Sequence, residues 1–398
     1  MRSVGIIGGG QLGRMAIEES RKYLAHIEVL SPDYPSPSAD IADTAHIGSI
    51  EDRESVLEFA EALDAVSYEI EGVSVEALLE LERGGKLVLP SAGILAAIRD
   101  KLDQRRVLAA AGLPSPRFAA VEPCPGEEAW SPRALAAAAE AVGGFPAVQK
   151  ARRGGYDGRG VAMLSGPEDP SALRCPAYLE ERVDIEKELA VVVARAPDGS
   201  VGAYPCVEMV FDPRANLCDS VLAPARIDDG LRAEAETISI RCVSALCAEA
   251  ERNGSPAAGS GGVFGVEMFL DRAGRIIVNE VAPRPHNSGH FSIEACASSQ
   301  FDQFLRLLLG LPLGSFELLA PAMMVNLLGE PGASGIPEYL GLEEALALPG
   351  VAIHLYGKAT VRPFRKMGHL TAIGSTADEA IRLAETARGL VRIVAGRT

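Results

Sequence analysis

The stretch Lys150-Ala151-Arg152-Arg153-Gly154-Gly155-Tyr156-Asp157-Gly158-Arg159-Gly160 puts four cations into ten residues and spaces them with glycines. Glycine lets a backbone close over an anion, and Lys150 stands near the end of a short apolar strand, Ala147–Ala151. A lid over nucleotide phosphates needs this combination. A solvated basic hairpin is the plainer reading, and the glycine density favours the lid. A second signal is the carboxylate pair Glu267 and Glu280, set in the apolar runs Val263–Leu270 and Arg275–Val281 around a turn at Asp271–Gly274. A four-residue loop that pairs Leu270 with Arg275 puts Glu267 opposite Val278 and Glu280 opposite Gly265, diagonal neighbours on one face. Carboxylates without partners in apolar strands are costly, and a magnesium ion shared with a polyphosphate removes that cost. Asn279 falls on the other face by parity, and a bulge would bring it in. A salt bridge to a nearby arginine is the alternative.

Three further motifs carry polar chemistry. Pro283-Arg284-Pro285-His286-Asn287-Ser288-Gly289-His290 reads as a rigid loop dense in polar side chains, suited to a reaction centre. Arg362-Pro363-Phe364-Arg365-Lys366-Met367-Gly368-His369 reads as a basic turn between strands Val351–Tyr356 and Leu370–Ile373, where arginine can hold a phosphate in a bidentate grip. Gly8-Gly9-Gly10-Gln11-Leu12-Gly13 satisfies G-x-G-x-x-G between a strand and a helix, with Asp33 placed 20 residues after Gly13. Such a turn captures phosphate on backbone N–H groups. No nicotinamide or hydride-transfer signature accompanies it, so the phosphate of some other ligand is expected there; a bare strand-to-helix turn is the bland reading.

The elements that must position these groups alternate at first. Strands Val4–Ile7, Ile27–Leu30, Ala65–Tyr68 and Lys86–Leu89 are separated by helices Gln11–Leu24, Glu51–Leu63 and Val75–Glu82, which predicts a parallel sheet with crossover helices. Ile94–Ala111 reads as one helix closed by Gly112 and Pro114. A proline-rich connector, Pro114–Pro132, leads to helix Ala134–Val142 and to strands on either side of the basic glycine loop. Antiparallel strands follow at Ala177–Leu179, Glu188–Arg195 and Val201–Pro205, then a long helix Leu231–Arg252, a glycine-rich loop 253–262 and helix Ala297–Leu309. From Pro321 the pattern is short strands and a last helix, Thr376–Leu390.

Composition bounds the function. The chain has 398 residues with 38 Lys and Arg against 54 Asp and Glu, a net charge of −16. Such a balance excludes a nucleic-acid coat or an electrostatic membrane binder, and requires any anion site to be a local island of positive charge. Hydrophobic residues at 47% and charged residues at 23% are ordinary for globular domains. Seven scattered cysteines without C-x-x-C spacing argue against a disulfide framework or zinc. No signal peptide or membrane-length apolar run is seen, so a soluble cytoplasmic protein is expected.

In order, Gly8–Met15 (G-G-G-Q-L-G-R-M), Tyr68–Glu71 (Y-E-I-E), Gly154–Gly160, Asn279–His290 (N-E-V-A-P-R-P-H-N-S-G-H) and Arg365–His369 (R-K-M-G-H) resemble the N5-carboxyaminoimidazole ribonucleotide synthetase family of the ATP-grasp superfamily over nearly the whole chain. The wording is similar to the synthetase half of the fungal and plant bifunctional enzymes, with the mutase half absent here. This resemblance implies an α/β and α+β chain: a Rossmann-like N-terminal domain (1–100), an ATP-grasp domain (101–312, lid near 150–176) and a small β-rich C-terminal domain (313–398). It implies ATP and Mg2+ as cofactors, bicarbonate and 5-aminoimidazole ribonucleotide as substrates, a homodimer and a separate mutase partner downstream. Carried over residue by residue, it implies phosphate contacts at Lys101 and Lys150, lid glycines Gly155, Gly158 and Gly160, an adenine hinge at Glu180, Glu181 and Val183, and a ribose carboxylate at Glu188. Magnesium falls to Glu267 and Glu280 with Asn279 beside them. Tyr156, Asp157 and Arg159 match lid residues near the imidazole ribonucleotide, and Arg284 and His286 match residues around bicarbonate and the amine. Arg365 and Lys366 match the substrate-phosphate site, helped by Gln11 and Leu12, and Glu71 meets the substrate. Three positions depart from the pattern: Phe211 replaces a histidine near the nucleotide, Phe364 the glycine of R-P-G-R-K, and Gly72 an Asn or His after Glu71.

Three alternatives stand beside it. An ATP-grasp ligase or carboxylase could act on a different amine or carboxylate. An NAD-dependent oxidoreductase could be built on Gly8–Gly13. A nucleotide-binding regulator without catalysis is opposed by Lys150, Glu267, Glu280 and the basic lid.

Overall fold

The computed structural model describes residues 2–124, 126–128, 130–154, 160–212, 217–256 and 259–396. The first part alternates as its hydrophobic pattern requires: β1 (Arg2–Ile7), α1 (Gln11–Ser20), β2 (Ala25–Ser31), β3 (Thr44–Ile47), α2 (Arg53–Ala60), β4 (Ala65–Tyr68), α3 (Val75–Arg83) and β5 (Leu87–Val88). The sheet is parallel throughout in the order β3-β2-β1-β4-β5, a doubly wound arrangement. Strand β3 is an addition to the sequence reading. It is a short edge strand of alternating exposure, and too few of its residues are apolar to announce it.

Where the sequence reads as one helix over 94–111, the structure has two, α4 (Ala92–Arg99) and α5 (Lys101–Ala110). The break is at Asp100, which takes extended backbone and caps α5 through the N–H groups of Leu102 and Asp103. Its carboxylate also receives Arg152 Nε at 2.9 Å. The break therefore puts Lys101 at a helix start, with its own N–H on the Arg152 carbonyl at 2.8 Å.

After β6 (Phe118–Ala120) and α6 (Pro132–Val142), strands β7 (Ala147–Ala151), β8 (Val161–Leu164) and β9 (Ala177–Glu181) complete a four-stranded antiparallel sheet, β6-β9-β7-β8. The second sheet is larger. It is built from β10 (Ile185–Arg195), β11 (Val201–Ala203), β12 (Val207–Asp212), β13 (Leu217–Ala223), β14 (Gly262–Asp271), β15 (Ile276–Ala282), β16 (Ala322–Leu328), β18 (Val351–Leu355) and β19 (Lys366–Ile373). Its order is β15-β14-β10-β12-β13-β16-β19-β18, with β11 on β10. Strands β12 and β13 escape the sequence reading because Glu208 and Asp219 interrupt their apolar runs. Both charges are neutralised in place: Glu208 by Lys187 (2.6 Å) and Arg226 (2.6 Å), Asp219 by Arg388 (2.5 Å). A small sheet pairs β17 (Pro337–Leu340) with β20 (Arg392–Ala395).

Helix α7 (Asp229–Arg252) covers one face of the large sheet with a core that includes Val191, Phe264, Val266 and Met268. The other face shares its core with the N-terminal sheet, joining Val4, Ile6 and Met15 to Val192, Met209, Phe291 and Phe301 of α9 (Gln300–Leu309). Two short helices, α8 (Ser292–Ala295) and α10 (Leu342–Leu346), and α11 (Ala377–Leu390) complete the chain. Helix α11 packs on the back of β16 and β19 against Val325, Leu370 and Ala372.

Candidate active site

The site is built on the face of the large sheet that α7 does not cover. Alternation along β10 and β14 puts Glu188, Ala190, Glu267 and Phe269 on it, through the pairs Glu188↔Phe269 and Ala190↔Glu267. The hairpin turn is one residue longer than expected, since Leu270 pairs with Ile276. Taken alone, that register would send Glu280 to the far face. A bulge between Met268↔Val278 and Glu267↔Glu280 leaves Asn279 over and restores it. Glu267 and Glu280 are thus directly opposed rather than diagonal, and Asn279 joins them.

Strand β15 is the edge of the large sheet, so its outward carbonyls at and beside the bulge lack ladder partners, and α5 supplies them. Arg105, fully buried, donates to the carbonyls of Val278 (2.6 Å) and Asn279 (2.5 Å), and Gln104 Nε2 donates to the carbonyl of Val281 (2.8 Å). Lys101, Gln104 and Arg105 lie at i, i+3 and i+4, one helical face. That polar spacing was the available signal for Gln104 and Arg105, which the sequence reading missed.

A continuous polar chain crosses the floor. Arg105 Nη2 and Lys150 Nζ flank Glu180 at 2.7 and 2.8 Å. Lys150 Nζ also donates to Asn279 Oδ1 (2.8 Å), and Asn279 Nδ2 donates to Glu267 Oε2 (3.3 Å). His286 Nε2 lies 3.2 Å from Glu267 Oε1. Because His286 Nδ1 accepts the Ser288 N–H (3.3 Å), Nε2 is the protonated nitrogen and donates to Glu267. Lys101 closes on Glu280. Burial works against the charge of Glu280, but Lys101 and then Lys150 overcome it and hold the carboxyl at about 2. Burial and the Glu267 charge push Glu188 the other way, up to about 7.

Lys150 pairs with Val161 and Val148 with Met163 across β7 and β8. Val161 and Met163 stay 41% and 52% exposed, an apolar strip beside a lysine that suits the flat face of a base. The hinge residues divide by role. Glu180 is consumed by its ion pairs, Glu181 holds Arg117 Nε at 2.7 Å, and Val183 sits half-buried in the β9–β10 connection. Gly160 opens β8 and its carbonyl receives the Ala151 N–H. Gly155, Tyr156, Asp157, Gly158 and Arg159 lie outside the described residues.

The loop 283–290 rests on this floor because Gly265 has no side chain: a Cβ there would fall 2.4 Å from His286 Cβ. From the loop, Arg284 Nε reaches Glu71 Oε1 at 2.9 Å. Glu69, two residues earlier, corrects one expectation. Its buried carboxylate accepts the Gly10 and Gly13 N–H groups, the latter at 2.6 Å. The amides of the G-x-G-x-x-G turn are thus filled by the protein's own anion, not left open for a ligand phosphate. Gln11 and Leu12 begin α1 behind it, and Leu12 packs on the core.

The basic segment 362–369 is not all turn. Lys366–His369 belong to β19. A second bulge, between Asn326↔His369 with Leu327↔Gly368 and then Leu328↔Lys366, leaves Met367 over. Met367 enters the core on the α11 side, and Lys366 is turned onto the active-site face with His369. Arg365 donates to the Thr360 carbonyl (2.7 Å), and burial with the adjacent Arg362 charge pushes its ionisation down, as expected of a cation in want of an anion. Phe364 has φ +60°, the left-handed conformation that glycine adopts freely. Phe211, on β12, packs against the shared core.

Among the described residues, no cluster of three or more His, Cys, Asp or Glu is arranged to hold a metal. No described helix is long and apolar enough to cross a membrane. All seven cysteines are unpaired.

Comparison with known proteins agrees with this layout. Three family descriptions match in order: the ribonucleotide synthetase preATP-grasp domain over 1–99, the ATP-grasp domain over 106–301, and the phosphoribosylaminoimidazole carboxylase C-terminal domain over 322–383. The N5-carboxyaminoimidazole ribonucleotide synthase of Synechococcus elongatus is 38% identical over 97% of this chain and 93% of its own. The phosphoribosylaminoimidazole carboxylase of Ogataea methanolica is 37% identical, and this chain spans 68% of its length. The crystal structure of the synthetase from Thermotoga maritima superposes with a TM-score of 0.86 at 41% identity, covering both chains completely. That of the Aspergillus clavatus synthase in complex with ADP and 5-aminoimidazole ribonucleotide does so with a TM-score of 0.84 at 33% identity over 98% of each chain. The chain belongs to the N5-carboxyaminoimidazole ribonucleotide synthase family of ATP-grasp ligases.

Proposed function

We propose that this chain uses ATP and bicarbonate to carboxylate the exocyclic amine of 5-aminoimidazole ribonucleotide, giving the N5-carboxyamino product of purine biosynthesis. The observation that carries the reading is the single face of the large sheet on which two bulges align Glu267, Asn279 and Glu280 at one end and Lys366 at the other, with Lys150 of β7 reaching Asn279 from the neighbouring sheet and His286 above Glu267.

Bicarbonate is a poor electrophile. Attack of its oxygen on the γ-phosphorus of ATP releases ADP and gives carboxyphosphate, whose carbon then carries a phosphate leaving group. The amine nitrogen forms the new C–N bond, the C–O bond to phosphate breaks, and inorganic phosphate leaves as the amine loses a proton. Lys101 and Lys150 supply positive charge to the polyphosphate, and the apolar strip of Val148, Val161 and Met163 receives adenine. Glu267, Glu280 and Asn279 Oδ1 form a hard-oxygen set of two carboxylates and an amide, which suits Mg2+ shared with phosphates; bound there, the ion would neutralise polyphosphate charge. His286, fixed as the Nε2–H tautomer, offers a donor to an anionic oxygen over the floor, and Arg284 adds charge beside it. Carboxyphosphate hydrolyses readily, so the site must exclude water, the role we assign to lid residues Tyr156, Asp157 and Arg159. Arg365 and Lys366 hold the substrate phosphate, Glu71 with Gln11 and Leu12 the rest of the ribonucleotide. The hinge (Glu181, Val183) and Glu188 hold the nucleoside of ATP. Units 1–100, 101–312 and 313–398, a homodimer, a cytoplasmic location and a separate mutase complete the proposal.

ADP formation is the test. It should be slow with bicarbonate alone and rise strongly when 5-aminoimidazole ribonucleotide is added; no rise with that amine, or an equal rise with other amines, rejects the substrate.

A further inference from the structure

Between the loop that carries His286 and the strand that carries Lys366 lies a column of buried aromatic rings. His354 and His369 stack at 4.6 Å between centroids with planes 12° apart, and His290 covers the other face of the column at 4.9 Å from His369. His290 and His369 are 1% and 0% exposed. Each end is anchored. His290 N–H donates to the Asn287 carbonyl, and its Nδ1 meets Gln300 Nε2 at 3.0 Å. The same Gln300 grips His286 at both backbone groups, accepting its N–H and donating to its carbonyl at 2.8 Å each. At the other end His354 Nε2 lies 2.6 Å from Glu294 Oε1. In the middle, His369 Nδ1 meets the buried Tyr356 hydroxyl at 3.0 Å, and Tyr356 N–H holds the carbonyl of the bulged Met367. On the sheet, His369 lies opposite Asn326 on one side and His354 on the other, three residues from Lys366.

We propose that His369 is a positioning residue: wedged between His290 and His354, it fixes the separation of Lys366 from His286, and so sets how tightly the site grips the phosphate end of a ribonucleotide whose other end is being carboxylated. The inference rests on the proposed roles of Lys366 and His286. Three observations support a wedge over ordinary core packing. Buried cores are apolar by preference, yet this one holds three imidazoles in contact, which a Leu or Phe would fill more cheaply. His369 Nε2 and the facing Asn326 Oδ1 are both buried without a hydrogen-bond partner among the described residues, a cost retained between two functional segments. The column also carries little charge. Burial foremost keeps both His290 and His369 uncharged, with the nearby Lys366 cation acting the same way on His290. Only His354, outermost and paired with Glu294, is pushed up, against its burial.

A double-variant cycle tests this on the whole enzyme. With 5-aminoimidazole ribonucleotide varied, His369→Ala should raise its KM about tenfold while the KM for ATP stays within about twofold. In the Lys366→Ala background the same substitution should cost less than about twofold more, because the contact it positions is gone. His369→Phe, which keeps a ring in the stack, should recover most of the loss. Leu370→Ala, which faces α11 instead, controls for damage to β19 and should leave the ratio of the two KM values unchanged. If His369→Ala does not fold, His354→Ala at the exposed end should show the same split more weakly. Equal effects on both substrates, or full additivity with Lys366→Ala, overturns the positioning role. No effect of Lys366→Ala itself would instead overturn the phosphate assignment beneath it.

Discussion

The ion pairs around Glu180 make the strongest quantitative prediction. Its carboxylate is 3% exposed and faces two cations, Arg105 at 2% and Lys150 at 8%. Burial alone would raise the Glu180 carboxyl; Lys150 and Arg105 outweigh burial and hold it below its ordinary value. Glu180→Gln keeps the shape and one acceptor oxygen but removes the charge, leaving two buried cations facing each other. Breaking a buried pair from one side costs about 3–5 kcal/mol. Arg105 keeps the carbonyls of Val278 and Asn279, and Lys150 keeps Asn279 Oδ1, so the lower end of that range is expected. With 398 residues and an unfolding entropy of about 2 cal/mol/K per residue, the chain has roughly 0.8 kcal/mol/K in all, and a loss of about 3 kcal/mol should lower the Tm by about 4 °C. Unfolding of the ATP-grasp part alone would enlarge the drop, since fewer residues share the entropy. Scanning calorimetry without ligands near neutral pH is the assay. A carboxyl lowered in the folded state gives stability that is present above its unfolded pKa and lost as pH falls through the folded one. The gap between Glu180→Gln and the parent should therefore narrow in acid. A Tm within about 1 °C of the parent at neutral pH would refute the argument that this charge is needed to seat Lys150.

Other perturbations follow from the same geometry. Glu188 is raised to about 7, so its contribution to stability is present below the unfolded value near 4.5 and lost as pH rises through 7. Glu188→Gln should thus be more stable to denaturant than the parent above pH 7, by about 1–2 kcal/mol after allowance for solvent, and no different in acid; an unchanged difference across pH rejects this. Glu280→Gln should abolish ADP formation and leave Lys101 without its partner; retained turnover would remove Glu280 from the metal site. At Phe364, φ +60° makes glycine the less strained residue, so denaturant unfolding should find Phe364→Gly more stable than Phe364→Ala by about 1 kcal/mol, and the reverse order would deny the left-handed turn.

Much of this was legible because it is written in local periodicity. The parallel N-terminal sheet and strands such as Ala65–Tyr68 and Ala147–Ala151 have the residues expected of them. Carboxylates in apolar strands pointed to a site because apolar surroundings punish unpaired charge. What escaped depends on contacts distant in sequence. The break at Asp100 needs Arg152, 52 residues away, to hold the carboxylate that caps α5. Glu69 reads as an ordinary strand-end acid until Gly10 and Gly13, 59 and 56 residues earlier, present their amides to it. Strands β12 and β13 hide behind Glu208 and Asp219, whose partners no local pattern reveals.

The register shows most sharply where periodicity stops and tertiary structure begins. Strict alternation on β15 with the observed turn would put Glu280 on the α7 side, in a hydrophobic core with no cation beside it. Strict alternation on β19 would put Lys366, three residues from His369, among Val325, Leu370 and Ala372 under α11. In each strand one extra residue reverses the parity, and in each the spare residue is used: Asn279 bridges Lys150 to Glu267, and Met367 fills the core behind. A bulge is stable only if its displaced backbone groups find partners. Arg105 and Gln104 provide them on β15, and Tyr356 N–H takes the Met367 carbonyl on β19. The residues that touch nothing reactive, Gln104, Arg105 and Tyr356, therefore decide which face the reactive ones occupy. Loss of Arg105 should move Glu280 before it moves Lys150, because the carbonyls of Val278 and Asn279 belong to the bulge, and Glu180 still holds Lys150.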